Sequence, residues 1–135
     1  MRLCEQYKTQ SVLDYGCGKA SLSLHLPFTI TSYDPAITKF AEEPEPADVV
    51  VCVDVMEHVE EPYVDAVLDH LKQLTREVML LHIALIPAKK QLPDGRNAHI
   101  TLKPVEWWKE KIDTRFSMLS ENLEDNTLTC ILSAR

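Results

Sequence analysis

Residues 12–20 read Val-Leu-Asp-Tyr-Gly-Cys-Gly-Lys-Ala, a short apolar strand ending in an acid, then a two-glycine turn and the start of a helix. In a doubly wound sheet, this arrangement opens a ligand site at the carboxyl ends of the strands. Gly16 and Gly18 let the backbone approach a ligand closely. Asp34 follows a second strand-like run and lies twenty residues after Asp14. An acid at that spacing is placed to bind a ribose diol, so the pattern predicts a nucleoside-bearing cofactor.

Composition restricts the class of protein. The chain has 135 residues, 45% of them hydrophobic, and a net charge of −7 from 21 acidic and 14 basic residues. This length and apolar content predict one domain over residues 1–135. The acidic balance disfavours nucleic acid and anionic membranes as partners. No apolar run approaches the roughly 20 residues that span a bilayer, and the N-terminus lacks a signal-peptide core. We therefore expect a cytoplasmic protein.

The four cysteines, Cys4, Cys17, Cys52 and Cys130, are spaced neither as a zinc site nor as a small disulfide framework. Three of them lie in the glycine turn or in apolar runs. We expect small buried hydrophobic side chains in a reducing compartment.

Hydrophobic periodicity predicts alternating strands and helices. Strands are expected over residues 12–15, 29–33, 47–55, 78–86, 115–120 and 127–133. Helices are expected over residues 2–10, 19–26, 62–75 and 104–112, with a single helical turn over 37–41. This alternation predicts an α/β fold, a compact Rossmann-like doubly wound sheet that is mostly parallel. The last two strands are joined by the short acidic turn 121–126, so one of them should be antiparallel.

The glycine turn departs from a dinucleotide fingerprint, because the third small residue falls at Ala20 or Ser21. Asp14 would repel a pyrophosphate but attract an ammonium group. A glycine pair alone also suits an ordinary tight turn. The D-x-G-x-G pattern resembles motif I of the class I S-adenosylmethionine (SAM)-dependent methyltransferases, which release S-adenosylhomocysteine (SAH). The resemblance implies that the cofactor is held by Asp14, Tyr15, Gly16, Cys17, Gly18, Asp34 and Pro35.

Residues 48–59, Asp-Val-Val-Val-Cys-Val-Asp-Val-Met-Glu-His-Val, form the second motif. They resemble the strand-four motif of ubiquinone-pathway O-methyltransferases. That resemblance implies that the backbone of Cys52, Val53 and Asp54 lines the methionyl part of the cofactor. The likeness covers nearly the whole chain with one departure: about a dozen residues stand where the family has a third strand and its helix. We expect that strand to be shortened or missing, which leaves the adenine contacts undefined.

Asp54, Glu57 and His58 lie at positions i, i+3 and i+4 beyond the third predicted strand. Two carboxylates and an imidazole can bind a divalent cation. The arrangement is similar to that of small-RNA 3′-end methyltransferases, where such a group and a distant histidine bind Mg²⁺ or Mn²⁺. The resemblance implies a metal held by Asp54, Glu57, His58 and His99, with His82 as the alternative distant histidine. In the other interpretation, Glu57 and His58 cap and orient the next loop without metal.

The segment 93–99, Pro-Asp-Gly-Arg-Asn-Ala-His, is rich in hydrogen-bonding groups and follows the predicted strand 78–86. It is a candidate wall for the methyl acceptor, although a polar surface turn would have the same composition. His99 is also a candidate general base. We therefore expect Glu57, His58 and His99 to be the catalytic residues.

The function expected from these motifs is methyl transfer from SAM to a small-molecule acceptor, with a hydroxyl as a candidate accepting group. Two alternatives stay open. One is a SAM-binding subunit that is non-catalytic or depends on a partner, which the minimal length favours. The other is a methyltransferase that acts on RNA or another macromolecule, which the acidic charge disfavours. A homodimer is a further expectation, because a second copy would cover the edge left by a missing third strand.

Overall fold

The computed structural model describes residues 2–18, 22 and 30–134. Its strands are β1 Val12–Tyr15, β2 Thr31–Tyr33, β3 Ala47–Val53, β4 Thr75–Ala84, β5 Phe116–Glu124 and β6 Thr127–Ala134. Its α-helices are α1 Arg2–Gln6, α2 Val64–Leu74 and α3 Val105–Asp113. Short 3-10 turns occupy Thr38–Phe40, Met56–His58 and Glu61–Tyr63. The predicted helix over 19–26 lies outside the described residues except for Leu22.

The six strands form one sheet in the order β2-β1-β3-β4-β6-β5. The pairs β2–β1, β1–β3 and β3–β4 are parallel, whereas β6 is antiparallel to both β4 and β5. The predicted α/β fold with an antiparallel C-terminal strand is confirmed. The predicted turn over 121–126 was too long, because β5 continues to Glu124. Asp125 and Asn126, with φ of 53° and 56°, make a two-residue turn of the kind that matches the twist of a hairpin.

The region between β2 and β3 confirms the expected loss of a strand. Residues 34–46 are all described, and they contain only the 3-10 turn Thr38–Phe40. The strand β2 is therefore an edge of the sheet. The polypeptide crosses from Asp34 to β3 along an acidic, proline-rich loop at this edge.

Helices α2 and α3 cover one face of the sheet. Leu68, Leu71, Trp108 and Ile112 are fully buried there, on helix positions spaced by three or four residues. On the other face, α1 packs Leu3 and Cys4 against a second apolar cluster. Because β3 is covered on both sides, its sequence is a nearly continuous apolar run.

Several element ends differ from the sequence-based expectation, with local reasons. The strand β3 ends at Val53 because Asp54 has a φ of 57°, which turns the chain out of the extended conformation. The strand β4 begins at Thr75, directly after α2, where the Thr75 hydroxyl donates to the Leu71 carbonyl at 2.7 Å. Helix α1 ends at Gln6, before Lys8 with its φ of 52°.

The four cysteines are free and buried, as predicted from their spacing. No helix in the described part of the chain is long and apolar enough to cross a membrane.

Candidate active site

The glycine turn lies where the parallel strands β1 and β2 end side by side. The amides of Gly16 and Cys17 both donate to the Tyr33 carbonyl, at 2.7 and 3.0 Å. Gly16 has a φ of 74°, and a Cβ on it would collide with Cγ2 of Val55. Only glycine satisfies both conditions, since other L-residues are strained at positive φ. The turn is thus packed against the segment that follows β3.

Two carboxylates flank this turn. Asp14 is 9% exposed, and burial raises its pKa, with the charge of Asp34 adding to the effect. The carboxylate of Asp34 accepts the amide of Gly18 at 3.0 Å through Oδ2 and the amide of Ala36 at 3.0 Å through Oδ1. The negative potential of this corner therefore favours a cationic ligand.

A cavity of about 390 Å³ opens beside the turn. Five of the predicted cofactor residues line it: Tyr15, Gly16, Asp34, Pro35 and Asp54. His58, predicted as a catalytic and metal-binding residue, also lines it, and four further walls were not predicted: Ala36, Val55, Val59 and Val67. The volume is in the range of small-molecule sites, roughly 300–1,000 Å³.

Five other predicted cofactor residues do not line this cavity: Asp14, Cys17, Gly18, Cys52 and Val53. The side chain of Cys52 is fully buried in the core on the α2 and α3 side. Burial raises the pKa of its thiol far above the ordinary range. Val53 is 39% exposed. The Cys52 side chain is therefore not available to a ligand.

Asp54 does not join the predicted metal group. Its positive φ directs the chain away from β3, and its side chain is 57% exposed. Its carboxylate Oδ1 lies 3.4 Å from His82 Nδ1, without the alignment of a hydrogen bond, and its amide donates to the His82 carbonyl. His82 is therefore also placed with Asp54 rather than with the other candidate ligands.

Glu57, His58 and His99 do come together. One candidate ligand atom from each lies within 4.8 Å of the others. Glu57 is fully buried, and neither of its carboxylate oxygens makes a hydrogen bond within the described part of the chain. Burial raises the pKa of Glu57, and the charge of Asp54 adds to the effect; nearby amides and His58 oppose it in part. We name these three residues the Glu57 cluster.

The two imidazoles of the cluster have defined tautomers. His58 Nδ1 lies 2.8 Å from the Ala98 carbonyl oxygen, and His99 Nδ1 lies 2.6 Å from the Ile86 carbonyl oxygen. A carbonyl oxygen can only accept, so each Nδ1 carries the proton. In a neutral ring, each Nε2 is then left with a free lone pair, which can accept a proton or bind a metal.

The rest of the polar segment 93–99 is used internally. Arg96 pairs with Asp94 at 2.7 Å and with Glu60 at 3.2 Å. The Asn97 side chain bridges to the backbone of Ala88 and also accepts the amide of His99. Of the predicted acceptor-binding segment, His99 contributes its side chain to the cluster and Ala98 contributes the carbonyl that bonds His58.

A hydrogen-bonded chain that the sequence did not reveal runs from the glycine turn to the loop before β3. The Tyr15 hydroxyl lies 2.7 Å from His70 Nδ1, and His70 Nε2 lies 2.6 Å from Glu43 Oε1. The rings of Tyr15, Tyr33 and His70 also pack together. The chain ties α2 to the end of β1, and no local pattern connects residues so far apart in sequence.

Comparison with known proteins identifies the family of the chain. The family model of a methyltransferase domain matches residues 2–123. No curated protein matches the sequence significantly.

Solved structures share the fold. The PH0226 protein from Pyrococcus horikoshii OT3 is similar with a TM-score of 0.66 and 11% identity, over 99% of this chain and 86% of that one. The DhpI–SAH complex gives 0.67 and 15%, over 91% and 76%. The Burkholderia thailandensis 1,6-didemethyltoxoflavin-N1-methyltransferase, with SAH bound, gives 0.65 and 14%, over 98% and 75%. The family model shows that the chain belongs to the methyltransferases, and the solved structures show that it shares their fold, as the resemblance to the class I SAM-dependent enzymes implied.

Proposed function

We propose that this methyltransferase transfers the methyl group of SAM to a hydroxyl oxygen of a small-molecule acceptor at the Glu57 cluster. The observation that carries the proposal is the position of His58, which lines the 390 Å³ cavity and also belongs to the cluster. A group that accepts protons thus stands at the wall of the candidate cofactor site. The fold neighbours support a small acceptor: one structure holds 1,6-didemethyltoxoflavin and another holds apigenin.

The proposed cofactor contacts follow from charge. SAM carries an ammonium and a sulfonium against one carboxylate, so it is a cation overall. Asp34 and Asp54 line the cavity, and Asp14, the residue before the wall residue Tyr15, is buried. In our proposal Asp14 attracts the ammonium group, which would offset the unfavourable burial of that carboxylate. Gly16 packs closely against Val55, and both residues line the cavity.

Asp34 is the proposed ribose ligand. Each of its carboxylate oxygens already accepts one backbone amide at 3.0 Å. A carboxylate oxygen has capacity for a second hydrogen bond, which the two ribose hydroxyls can supply. The two amides hold the carboxylate in place, so little freedom would be lost on binding. Pro35 and Ala36, which follow it on the cavity wall, would pack against the nucleoside.

The chemistry requires positioning more than activation. The sulfonium of SAM supplies a methyl group that is already activated, so the protein must align the acceptor and exclude water. His99 and His58 are the proposed bases, because hydrogen bonds to carbonyls fix each Nδ1–H and orient Nε2. A base within reach of the acceptor hydroxyl removes its proton as the oxygen attacks.

The same cluster is chemically suited to a divalent cation. A buried carboxylate without hydrogen bonds and two imidazoles, each oriented by a backbone carbonyl, form a common donor set for transition metals. Glu57, His58 and His99 would hold the ion. Its charge would lower the pKa of an acceptor hydroxyl. Asp54 lies outside this set, which therefore differs from the four ligands expected from the sequence.

Calorimetry with SAM and SAH tests the cofactor site. We expect Asp14→Asn to weaken SAM binding by about 10- to 150-fold, the range for a lost charge-assisted hydrogen bond of about 1.5–3 kcal/mol. Asp113→Asn, at the end of α3, is the matched control and should bind normally. Equal affinity for wild type and Asp14→Asn would contradict the assigned role of Asp14.

Formation of SAH with panels of phenols, sugars and carboxylates tests the reaction. We expect turnover with at least one hydroxyl compound, and a loss of at least 100-fold in kcat with His99→Gln and with Glu57→Gln. His82→Gln, outside the cluster, is the control. Turnover that is equal in the His99, Glu57 and His82 variants would exclude the cluster from the reaction.

Manganese binding tests the metal separately. Paramagnetic resonance of Mn²⁺ titrated into chelator-treated protein should show a bound ion in wild type and in His82→Gln, and none in Glu57→Gln. If chelation leaves full activity and no Mn²⁺ binds, the histidines act as bases alone.

A further inference from the structure

A second cavity, of about 540 Å³, lies beside the carboxyl end of β4, the end of the sheet at which the Glu57 cluster also lies. Its apolar walls are Leu85, Leu102, Pro104, Val105 and Leu123, and three polar residues complete the lining: Lys103, Asp125 and Asn126. They come from three separate parts of the chain: the residue after β4, the segment leading into α3, and the tip of the β5–β6 hairpin. The Leu85 amide donates to the Asn126 carbonyl at 2.9 Å, which joins the hairpin tip to the end of β4.

Large apolar side chains are exposed around this cavity without an apparent structural reason. Leu123 is 57% exposed and Leu102 is 36% exposed, and both line it. Ile86, the residue after Leu85, is 48% exposed. Clustered exposed apolar side chains around a concavity are typical of a ligand site. If the apolar part of a ligand covered these side chains, their burial would stabilise the complex.

The walls of this cavity are linked to the Glu57 cluster through the backbone. His99 bonds the carbonyl of Ile86, one residue after the wall residue Leu85. The amide of Thr101, the residue before the wall residue Leu102, donates to the Glu57 carbonyl at 3.0 Å. Successive Cα atoms are about 3.8 Å apart, so two walls are held within a few ångströms of residues that contact the cluster.

The cluster is therefore linked to both cavities. His58 lines the acidic 390 Å³ cavity, while Glu57 and His99 are bonded to the segments that wall the apolar one. The charged lysine of the second cavity is engaged elsewhere: Lys103 Nζ pairs with Glu61 at 3.0 Å and lies 5.4 Å from the Trp107 ring centre. Asp125 and Asn126, which also line the cavity, lie at the exposed tip of the β5–β6 hairpin. The other five walls are apolar, and the apolar body of a ligand fits them.

We infer that this apolar cavity binds the body of the methyl acceptor, and that the acceptor is a hydroxyl compound with an alkyl or aryl body. The inference rests on the proposed function, because it places the acceptor's hydroxyl at the Glu57 cluster. It adds the chemical class of the substrate and the residues that select it. Leu102 and Leu123 are the specificity-determining side chains.

A series of 4-alkylphenols tests the inference, with phenol, 4-ethylphenol and 4-butylphenol as probes. Binding is followed by NMR of leucine methyl groups in protein saturated with SAH. We expect the affinity to rise about fourfold for each methylene buried. Shift changes should concentrate on the methyl groups of Leu85, Leu102 and Leu123. Leu119, which is 52% exposed on the same strand β5 but does not line the cavity, should not respond.

Two variants complete the test. Leu123→Asn should weaken 4-butylphenol at least fivefold and leave SAH affinity unchanged. Leu119→Asn should change neither, and the two positions have similar exposure, so both variants should fold. Affinity independent of alkyl length, shift changes elsewhere, or equal effects of the two variants would overturn the inference. Failure of SAH to bind would instead contradict the proposed function, while the alkylphenol data from SAH-free protein would still decide whether the cavity binds apolar ligands.

Discussion

Replacement of Gly16 by alanine tests how the candidate cofactor site is built. The new methyl group meets two separate obstacles in the structure. The backbone at Gly16 has a φ of 74°, and the added Cβ would lie well inside van der Waals distance of Val55 Cγ2, with Val55 Cγ1 at 3.3 Å. Neither obstacle depends on a bound ligand, so both should appear in the stability of the free protein.

The expected magnitude follows from these two terms. A left-handed conformation costs a residue with a Cβ about 1–2 kcal/mol. Forced packing of an extra methyl group costs about 1–3 kcal/mol. Gly16→Ala should therefore lower the free energy of unfolding by about 2–5 kcal/mol. That is a large part of the roughly 5–15 kcal/mol that stabilises a typical domain.

Urea denaturation of a double-mutant cycle separates the two terms. Val55→Ala removes both Cγ atoms and leaves the Val55 Cβ at 3.4 Å from the new methyl, an ordinary contact. The double variant should then be about 1–3 kcal/mol more stable than the sum of the single effects predicts. Gly95→Ala is the control for strain alone, because its φ is 89° and no described atom lies within 4 Å of the added Cβ.

Additive effects of Gly16→Ala and Val55→Ala, within about 0.5 kcal/mol, would refute the packing argument. A Gly16→Ala variant no less stable than Gly95→Ala would refute it as well. SAH titration of the same variants adds the functional readout. The double variant should recover stability, and its SAH affinity then reports whether the turn itself, rather than the overall fold, holds the cofactor.

Three further predictions use the same denaturation assay. The raised pKa of Asp14 means that the folded protein binds this proton more tightly than the unfolded chain does, so the ionised carboxylate lowers stability as pH rises above the ordinary pKa of 3.8. The free energy of unfolding of Asp14→Asn should match that of wild type near pH 3 and exceed it at pH 7. Equal free energies at pH 7 would contradict this. Arg115, between α3 and β5, has a 15%-exposed side chain that pairs with two acids of α2, so Arg115→Met should cost about 1 kcal/mol. Lys109→Met, which breaks an exposed pair, should cost less than about 0.5 kcal/mol. His70→Leu should lower the free energy of unfolding by about 1–3 kcal/mol, because it leaves the Tyr15 hydroxyl unpaired. Adding Tyr15→Phe should recover part of that loss. A further loss of stability in the double variant would mean that the hydroxyl has another partner.

The local features of this fold could be read from the sequence because local chemistry encodes them. The apolar run of β3 predicts a strand covered on both faces, and the structure covers both. The leucine spacing of α2 predicts its buried stripe. The short segment after Asp34 predicts the missing strand, since too few residues are available for a strand and a helix.

Boundaries were predicted less well, because single backbone dihedrals decide them. The strand β3 was expected to continue to Val55, but the positive φ of Asp54 ends it at Val53. The same dihedral keeps Asp54 apart from Glu57, His58 and His99, with which the sequence predicted it to bind a metal. Residues at helical spacing after a strand do not share a face when the intervening backbone is left-handed.

The sequence by itself determined a mostly parallel sheet with a glycine turn and an acid at each of two strand ends, because strand periodicity, glycine conformation and the alternation of strands with helices are properties of the linear sequence. Only the tertiary structure decided that His99 rather than His82 joins Glu57 and His58, and that Asp54 stands apart. It also placed Val59 and Val67 on the wall of the acidic cavity. It also decided that Leu102 and Leu123, over twenty residues apart, face one apolar cavity. Such groupings depend on how loops from different strands end at one edge of the sheet, and no pattern within a single segment specifies that meeting.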